Sequence, residues 1–174
     1  MTVTALVLTD QNNAIGKNHL ILDYLPAYVS YFEELTKDAP VLMGRRTFES
    51  IGHILRSKKN IVITDNEKYH SSKARTYPTV AKALESCRKH KRIFVIGGAA
   101  IFKACLPYTN EVYRVSVKAR FRSDDYYPEI DTETFMLKAS ECISASAQNR
   151  FDYCIEKWVR EEREVADRIP RSKK

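Results

Sequence analysis

Apolar runs alternate with polar, turn-forming segments along most of the chain, and this spacing predicts a mixed α/β fold. Continuous apolar or β-branched runs indicate buried strands, whereas apolar residues at three- and four-residue spacing indicate helices. Because the two types alternate, we expect a largely parallel sheet. The predicted strands cover residues 2–9, 41–45, 60–64, 92–96 and 111–119, and the predicted helices cover 26–37, 47–51, 79–89 and 99–106.

The last third of the chain has a different pattern. Two strands, 134–143 and 151–159, follow one another without a helix between them, which is typical of antiparallel edge strands that close a parallel sheet. A tail of mixed charge follows Trp158, and it is either helical or frayed. The sequence therefore predicts one domain over residues 1–160 and a charged tail over 161–174.

A long segment near the N-terminus shows no regular periodicity. Residues 10–25 separate the first strand from the first helix, for which Pro26 is a favourable first residue. We predict an irregular loop here. Loops of this length inside a compact domain are usually functional.

Composition and charge narrow the class of protein. The chain has 174 residues and a net charge of +7, which favours anionic partners of any size. No cluster of arginine and aromatic residues supports nucleic-acid binding, so we expect small-molecule partners only. No apolar run approaches the ~18 residues of a membrane span, and the N-terminus does not resemble a signal peptide. We therefore expect a cytoplasmic protein.

The cysteines suggest neither a disulfide framework nor a metal site. No pair has C-x-x-C spacing and each lies in an apolar segment, so we predict buried free thiols. The four histidines form no ligand pair, and we expect no metal. The cysteines are Cys87, Cys105, Cys142 and Cys154.

Two junctions between a strand and a helix are candidates for ligand binding. Gly97–Gly98 lets the backbone turn sharply, and the helix that follows suits a phosphate, although a tight turn without a ligand is the alternative. Arg45 and Arg46 follow Gly44 at a helix start, where cations are unfavourable, so we expect an anion rather than two solvated arginines. With Thr64, these groups mark the crevice of an open α/β sheet.

In these residues and in the segments around them, the chain resembles the dihydrofolate reductase family. The resemblance extends over roughly residues 3–160 and is most specific in the block Met43-Gly44-Arg45-Arg46-Thr47-Phe48-Glu49-Ser50-Ile51-Gly52. It implies an α/β fold of three layers, with a mostly parallel eight-stranded sheet, an antiparallel C-terminal strand and four flanking helices. It also implies hydride transfer from NADPH to 7,8-dihydrofolate. Further matching segments are 14–16, 25–27, 59–64, 95–98, Asp124 with Tyr127–Pro128, and 153–156.

The half of the site that binds the cofactor matches the family well. The resemblance implies that Arg45, Arg46 and Thr47 hold the phosphates and that the bond between Gly97 and Gly98 is cis. Asp65 departs from the usual small polar residue and would repel a 2′-phosphate unless paired with an arginine. The residues implied in cofactor binding are Ile15, Gly16, Gly44, Arg45, Arg46, Thr47, Thr64, Asp65, Ile96, Gly97, Gly98, Ala99, Ala100, Ile101 and Phe102.

The half that binds the substrate departs from the family. Tyr28 stands where the family has its catalytic acid, and a neutral phenol cannot accept two donors as a carboxylate does. Asp23, in the place of a tryptophan, either supplies the missing carboxylate or only caps the helix as a solvated loop residue. We therefore name Tyr28 and Asp23 as the catalytic candidates.

The remaining substrate residues are a mixture of matches and departures. Phe32, Ile51 and Leu55 keep apolar walls, whereas Lys58 replaces an arginine and presents a point charge instead of a fork. Val115 replaces a threonine, Leu8 replaces a smaller residue beside the nicotinamide, and Phe102 lacks the family's aromatic hydroxyl.

Most departures from the family pattern fall among the residues implied in substrate binding, and few fall among those implied in cofactor binding. We therefore expect an NADPH-dependent reductase that reduces dihydrofolate, at a reduced rate. The alternatives are a reductase for a different pterin-like or heteroaromatic substrate and a non-catalytic homologue that binds NADPH. We expect a monomer.

Overall fold

The computed structural model describes residues 1–17, 20–21, 25–57 and 59–161. The strands are β1 (Thr2–Thr9), β2 (Ala14–Lys17), β3 (Leu20–Ile21), β4 (Pro40–Gly44), β5 (Lys59–Ile63), β6 (Arg75–Tyr77), β7 (Arg92–Val95), β8 (Glu111–Val117), β9 (Asp125–Tyr126), β10 (Phe135–Ile143) and β11 (Tyr153–Arg160). The helices are α1 (Pro26–Thr36), α2 (Arg45–Ile51), α3 (Val80–Ser86) and α4 (Ala99–Cys105), followed by a 3-10 turn at Leu106–Tyr108.

The central layer is an eight-stranded sheet in the order β10-β11-β8-β1-β7-β4-β5-β6. β1 pairs in parallel with β7 and β8, and β4 and β5 continue the parallel arrangement towards β6. β11 runs antiparallel to both of its neighbours, β8 and β10. The expectation of a mostly parallel sheet with an antiparallel C-terminal strand is confirmed.

Alternation along β1 explains the three layers. Val3, Ala5 and Val7 belong to a core cluster that also contains residues of α3 and α4. Leu6 points to the opposite face, where α1 and α2 cover the sheet. Because successive strand residues point to opposite faces, a strand that is buried at successive positions must be covered on both sides. β1 is buried along nearly its whole length.

The N-terminal segment is more regular than predicted. Residues 14–17 and 20–21 form β2 and β3, which join β9 in a second, three-stranded sheet. The prediction of an irregular loop over 10–25 is therefore wrong for these residues. The strands are very short, and β2 pairs with β9 more than a hundred positions away, so no local pattern reveals them.

The prediction that all four cysteines are free thiols is wrong for two of them. Cys142 on β10 and Cys154 on β11 are directly opposed in the antiparallel ladder and form a disulfide. The sequence conceals this pair because strand register, not spacing along the chain, places the two side chains together. Cys87 and Cys105 are buried free thiols, as expected.

Among the residues that the structure describes, no helix is long and apolar enough to cross a membrane. All but the first residue of the charged tail predicted over 161–174 lies outside the described residues.

Candidate active site

A cleft of about 540 Å³ opens at the carboxyl ends of β1, β4, β5 and β7. Leu8, Gly44, Ile63 and Ile96 mark these four strand ends in its lining. Ligands of open α/β sheets bind at this position, because the loops that follow parallel strands meet there.

Two glycines allow the central strands to end very close together. The Gly44 N–H donates to the Gly97 carbonyl oxygen at 2.7 Å, and the bond between Gly97 and Gly98 is cis. A Cβ atom on Gly97 would lie 2.8 Å from the Phe102 ring, and one on Gly44 would lie 3.0 Å from Ile101. The backbone therefore fills the space in which side chains would otherwise stand, and a ligand can approach it closely.

One end of the cleft is basic. Arg45 and Arg46 begin α2 directly after Gly44, and both line the cleft. Arg45 is half-buried, its Nε lies 3.7 Å from the Glu49 carboxylate, and its guanidinium stacks 5.6 Å from the centre of the Tyr69 ring. Arg46 is exposed. These groups are suited to a phosphate, which arginine binds through charge-assisted hydrogen bonds.

A carboxylate lies at the same end. Asp65 and Thr64 follow β5 and line the cleft together with the arginines. No salt bridge within the described part of the chain joins Asp65 to Arg45 or Arg46. Positive and negative side chains thus face the same ligand volume without neutralising one another directly.

The other end of the cleft is mostly apolar. Leu8 from β1, Ile15 from β2 and Ile96 after β7 line it, with Gly16 and Asp125 at its rim. The Ser123 hydroxyl donates to the Gly16 carbonyl, which attaches β2 to the segment that carries β9. A flat apolar ring bounded by a few polar groups fits such a surface.

A buried carboxylate holds the segment that delivers Ile15. Asp10 is 1% exposed, and its Oδ1 accepts hydrogen bonds from the backbone N–H groups of Asn12 and Ala14 at 2.7 and 2.9 Å. Its Oδ2 accepts a third from the N–H of Phe121 at 2.8 Å. One side chain therefore fixes the turn between β1 and β2 and ties it to the loop after β8.

Tyr28 occupies the first turn of α1 and lines the cleft. Its ring lies 6.0 Å from that of Phe32, one helical turn further on, in a tilted arrangement. Burial raises the pKa of the Tyr28 hydroxyl well above its ordinary value of 10, so the group remains a neutral phenol at any physiological pH. Val115 is fully buried in an apolar cluster with Leu8, against which Tyr28 also packs.

The structure brings together most of the residues selected from the sequence. All of the predicted cofactor residues except Gly97 line the cleft, as do Leu8 and Tyr28 among the predicted substrate residues. Among the described residues, Phe32, Ile51, Leu55 and Val115 are not in the cleft lining but pack in the apolar clusters beside Tyr28. Asp23 and Lys58 lie outside the described residues.

Sequence reasoning missed several lining residues. The alternation of residues along strands and the positions of strand ends indicate some of them. Asp125 has no such signal, because it reaches the cleft through the pairing of β9 with β2. The missed residues are Leu6, Val7, Ser50, Ile63, Pro78 and Asp125.

Together, the doubly covered parallel sheet, the close glycines and a cleft that is basic at one end and apolar at the other define an α/β protein of the dinucleotide-binding class. The family model described as dihydrofolate reductase matches residues 2–160. The dihydrofolate reductase of Bacillus subtilis is 31% identical over 87% of this chain and 90% of its own length. That of Haemophilus influenzae is 32% identical over 87% of this chain and 94% of its own.

Solved structures agree with this assignment. A dihydrofolate reductase from Enterococcus faecalis, complexed with NADP(H) and RAB-propyl, superimposes with a TM-score of 0.86 at 26% identity. The superposition covers 92% of this chain and 97% of that one. The chain belongs to the dihydrofolate reductase family.

Proposed function

We propose that the protein is an NADPH-dependent reductase that reduces 7,8-dihydrofolate to tetrahydrofolate. The observation that carries the proposal is the continuous cleft that runs from Arg45 and Arg46 at one end to Tyr28 at the other. Such a cleft accommodates an extended dinucleotide whose phosphates and nicotinamide need opposite environments. Family membership and the NADP(H) bound to the Enterococcus faecalis relative support the choice of cofactor and reaction.

The described residues fit this cofactor. Gly98 lines the cleft, and a Cβ atom on it would lie 3.4 Å from the Thr47 hydroxyl oxygen, so its absence leaves room for a diphosphate to lie against the main chain. We assign the phosphates to Arg45, Arg46 and Thr47, and the nicotinamide to the apolar surface of Ile15 and Ile96. NADPH, when bound, supplies the hydride; the protein supplies orientation and excludes water from the apolar end.

The substrate end differs from what folate chemistry requires. The N3–H and the 2-amino group of the substrate's pterin ring are a pair of donors that one carboxylate can bind, whereas the neutral Tyr28 hydroxyl offers one donor and limited acceptor capacity. The neighbouring Val115 has no hydroxyl, so it cannot orient a proton source beside Tyr28. We therefore propose slow reduction, with Tyr28 in place of the acid and Asp23 as the second candidate for that role.

Tyr28 and Val115 also favour a second candidate function, which is the reduction of a different heteroaromatic substrate. A ring that offers one hydrogen-bonding group instead of an amidine-like pair would suit a phenol in an apolar wall. The two candidates share the cofactor and differ only in the substrate.

The test combines a binding measurement with a turnover assay. NADPH fluorescence on titration reports binding, and the decrease in NADPH absorbance with dihydrofolate reports reduction. Binding together with dihydrofolate-dependent oxidation supports the first proposal. Binding without it contradicts the first proposal and leaves reduction of a different heteroaromatic substrate or a non-catalytic homologue that binds NADPH. Asp23→Asn abolishes the residual activity only if Asp23 serves as the acid, and absence of NADPH binding refutes both proposals.

We further propose that residues 1–160 form the reductase domain and that the protein is a cytoplasmic monomer whose partners are small molecules and not nucleic acid. The extent of the family match, residues 2–160, supports the domain boundary. Sedimentation with and without NADPH tests the oligomeric state.

A further inference from the structure

The basic end of the cleft contains a carboxylate that the phosphate-binding role does not explain. Asp65 is exposed and lines the same volume as Arg45, Arg46 and Thr64. Its position is set by the backbone on both sides. The Thr64 N–H donates to the Tyr77 carbonyl at 3.1 Å, and the Thr64 hydroxyl accepts from the Asn66 N–H at 3.2 Å.

The arginines do not neutralise this carboxylate. Arg45 is partly engaged with Glu49 and stacks on Tyr69, and no salt bridge within the described residues joins either arginine to Asp65. Asp65 therefore presents an anionic group to whatever binds in the part of the cleft that it lines with the arginines. A phosphate dianion there is attracted by the arginines and repelled by Asp65 at the same time.

A ribose without the 2′-phosphate interacts differently with the same residues. Its two adjacent hydroxyls are donors, and a carboxylate has two oxygens that accept from such a pair. An acidic residue at the end of a parallel strand is the usual partner of that diol in dinucleotide-binding folds, whereas arginine is the usual partner of the 2′-phosphate. This cleft holds both.

We propose that Asp65 is a specificity-determining residue that allows the protein to use NADH as a second cofactor. The proposal rests on the function proposed above. Asp65 weakens NADPH binding by repulsion and strengthens NADH binding by accepting hydrogen bonds from the ribose, so the preference for NADPH is about tenfold or smaller.

The experiment measures dissociation constants for NADPH and NADH by fluorescence titration of the full-length protein, without substrate. Asp65→Asn removes the charge at constant size, and Asp65→Ser removes the acceptor pair as well. Glu67→Gln is the matched control, since it removes one negative charge from the same loop at an exposed position outside the described cleft lining.

We expect Asp65→Asn and Asp65→Ser to tighten NADPH binding and to weaken NADH binding. The dissociation constant for NADH divided by that for NADPH should therefore rise about tenfold. Glu67→Gln should change that ratio by less than about twofold. An unchanged ratio in both Asp65 variants, or an equal change in Glu67→Gln, overturns the inference while leaving NADPH binding intact. Failure of the unmodified protein to bind either dinucleotide overturns both this inference and the proposed function.

Discussion

The carbonyl oxygen of Gly97 accepts a hydrogen bond from the N–H of Gly44 at 2.7 Å, and this bond joins the ends of two parallel strands, β4 and β7. The strands themselves are paired only through Val41 and Leu42. The hydrogen bond between the glycines continues this contact beyond the end of β7, and a Cβ atom on either glycine would press on a side chain of α4, that of Ile101 or Phe102.

Gly97→Ala should therefore destabilise the protein and impair cofactor binding. The residue has φ = +108°, and its new Cβ would lie 2.8 Å from the Phe102 ring. Backbone strain of ~1–2 kcal/mol adds to an overpacking cost of ~1–3 kcal/mol. Gly52→Ala is the control because Gly52 also has a positive φ, +73°, but a Cβ there would meet none of the described atoms within 4 Å. Urea unfolding should show a clearly larger loss in the free energy of unfolding for Gly97→Ala than for Gly52→Ala. Equal losses in the two variants would contradict the steric argument.

The combined change Arg45→Ala and Arg46→Ala should abolish the preference for NADPH and leave a preference for NADH, because Asp65 remains to repel the 2′-phosphate. Charge-assisted hydrogen bonds contribute ~1.5–3 kcal/mol each, and NADH lacks the 2′-phosphate that uses them. Fluorescence titration should show a large loss of affinity for NADPH and a smaller loss of affinity for NADH. Equal losses for the two dinucleotides would mean that the arginines bind only the shared diphosphate.

Introducing a carboxylate at position 28 should accelerate dihydrofolate reduction. Tyr28→Asp with Val115→Thr supplies an acid and a hydroxyl to orient it, and general-acid assistance is worth about 10²–10⁴-fold. Tyr28→Asn with Val115→Thr is the matched control, since it has the same size but cannot ionise. Steady-state kinetics should show the gain only with Asp. If the Asp variant binds NADPH and is no faster, the substrate is not dihydrofolate.

Replacing Asp10 should loosen the segment that carries Ile15. Asp10→Ala leaves three backbone N–H groups without their partner, those of Asn12, Ala14 and Phe121, and should cost about 3 kcal/mol or more. Chemical denaturation measures the loss. Asp131→Ala is the control because Asp131 accepts similar local hydrogen bonds at an exposed site. A comparable loss in both variants would show that burial of Asp10 is unimportant.

The disulfide between Cys142 and Cys154 should be detectable by counting thiols. In urea without reductant, two thiols per chain should react with a thiol reagent, those of Cys87 and Cys105, and after reduction all four should react. Cys142→Ala with Cys154→Ala should lower stability by about 2–3 kcal/mol relative to the oxidised protein, because the bond closes a short loop. Four reactive thiols before reduction would contradict the assignment.

Much of the architecture follows from local pattern. Mostly apolar runs identify β1, β4, β5 and β7, because strands covered by helices on both faces are buried at nearly every position. Helix ends follow from capping chemistry: the Thr79 hydroxyl accepts from the Lys82 N–H at 3.3 Å, and Gly52 ends α2 in the left-handed conformation. Local steric and hydrogen-bonding preferences of this kind act within a few residues.

The residues predicted to bind the cofactor could be selected from the sequence for the same reason. They stand at strand ends and in short junctions such as Gly44-Arg45-Arg46, so a one-dimensional pattern already groups them by position on the sheet edge. The motif block also brought the family resemblance, which supplied roles that spacing alone does not.

Only the tertiary structure decided the remaining features. The cross-strand pairing of Cys142 with Cys154, the delivery of Asp125 to the cleft by β9, and the capture of three backbone N–H groups by Asp10 all join positions whose separation carries no local pattern. The sequence by itself determined the four helices, seven of the eleven described strands and the turns that line the cleft, because those depend on neighbours along the chain. The short strands β2, β3, β6 and β9 were not predicted. Strand register, the placement of Asp65 in the same cleft as Arg45 and Arg46, and the desolvation of Tyr28 depend on neighbours in space, and the folded sheet alone brings those neighbours together.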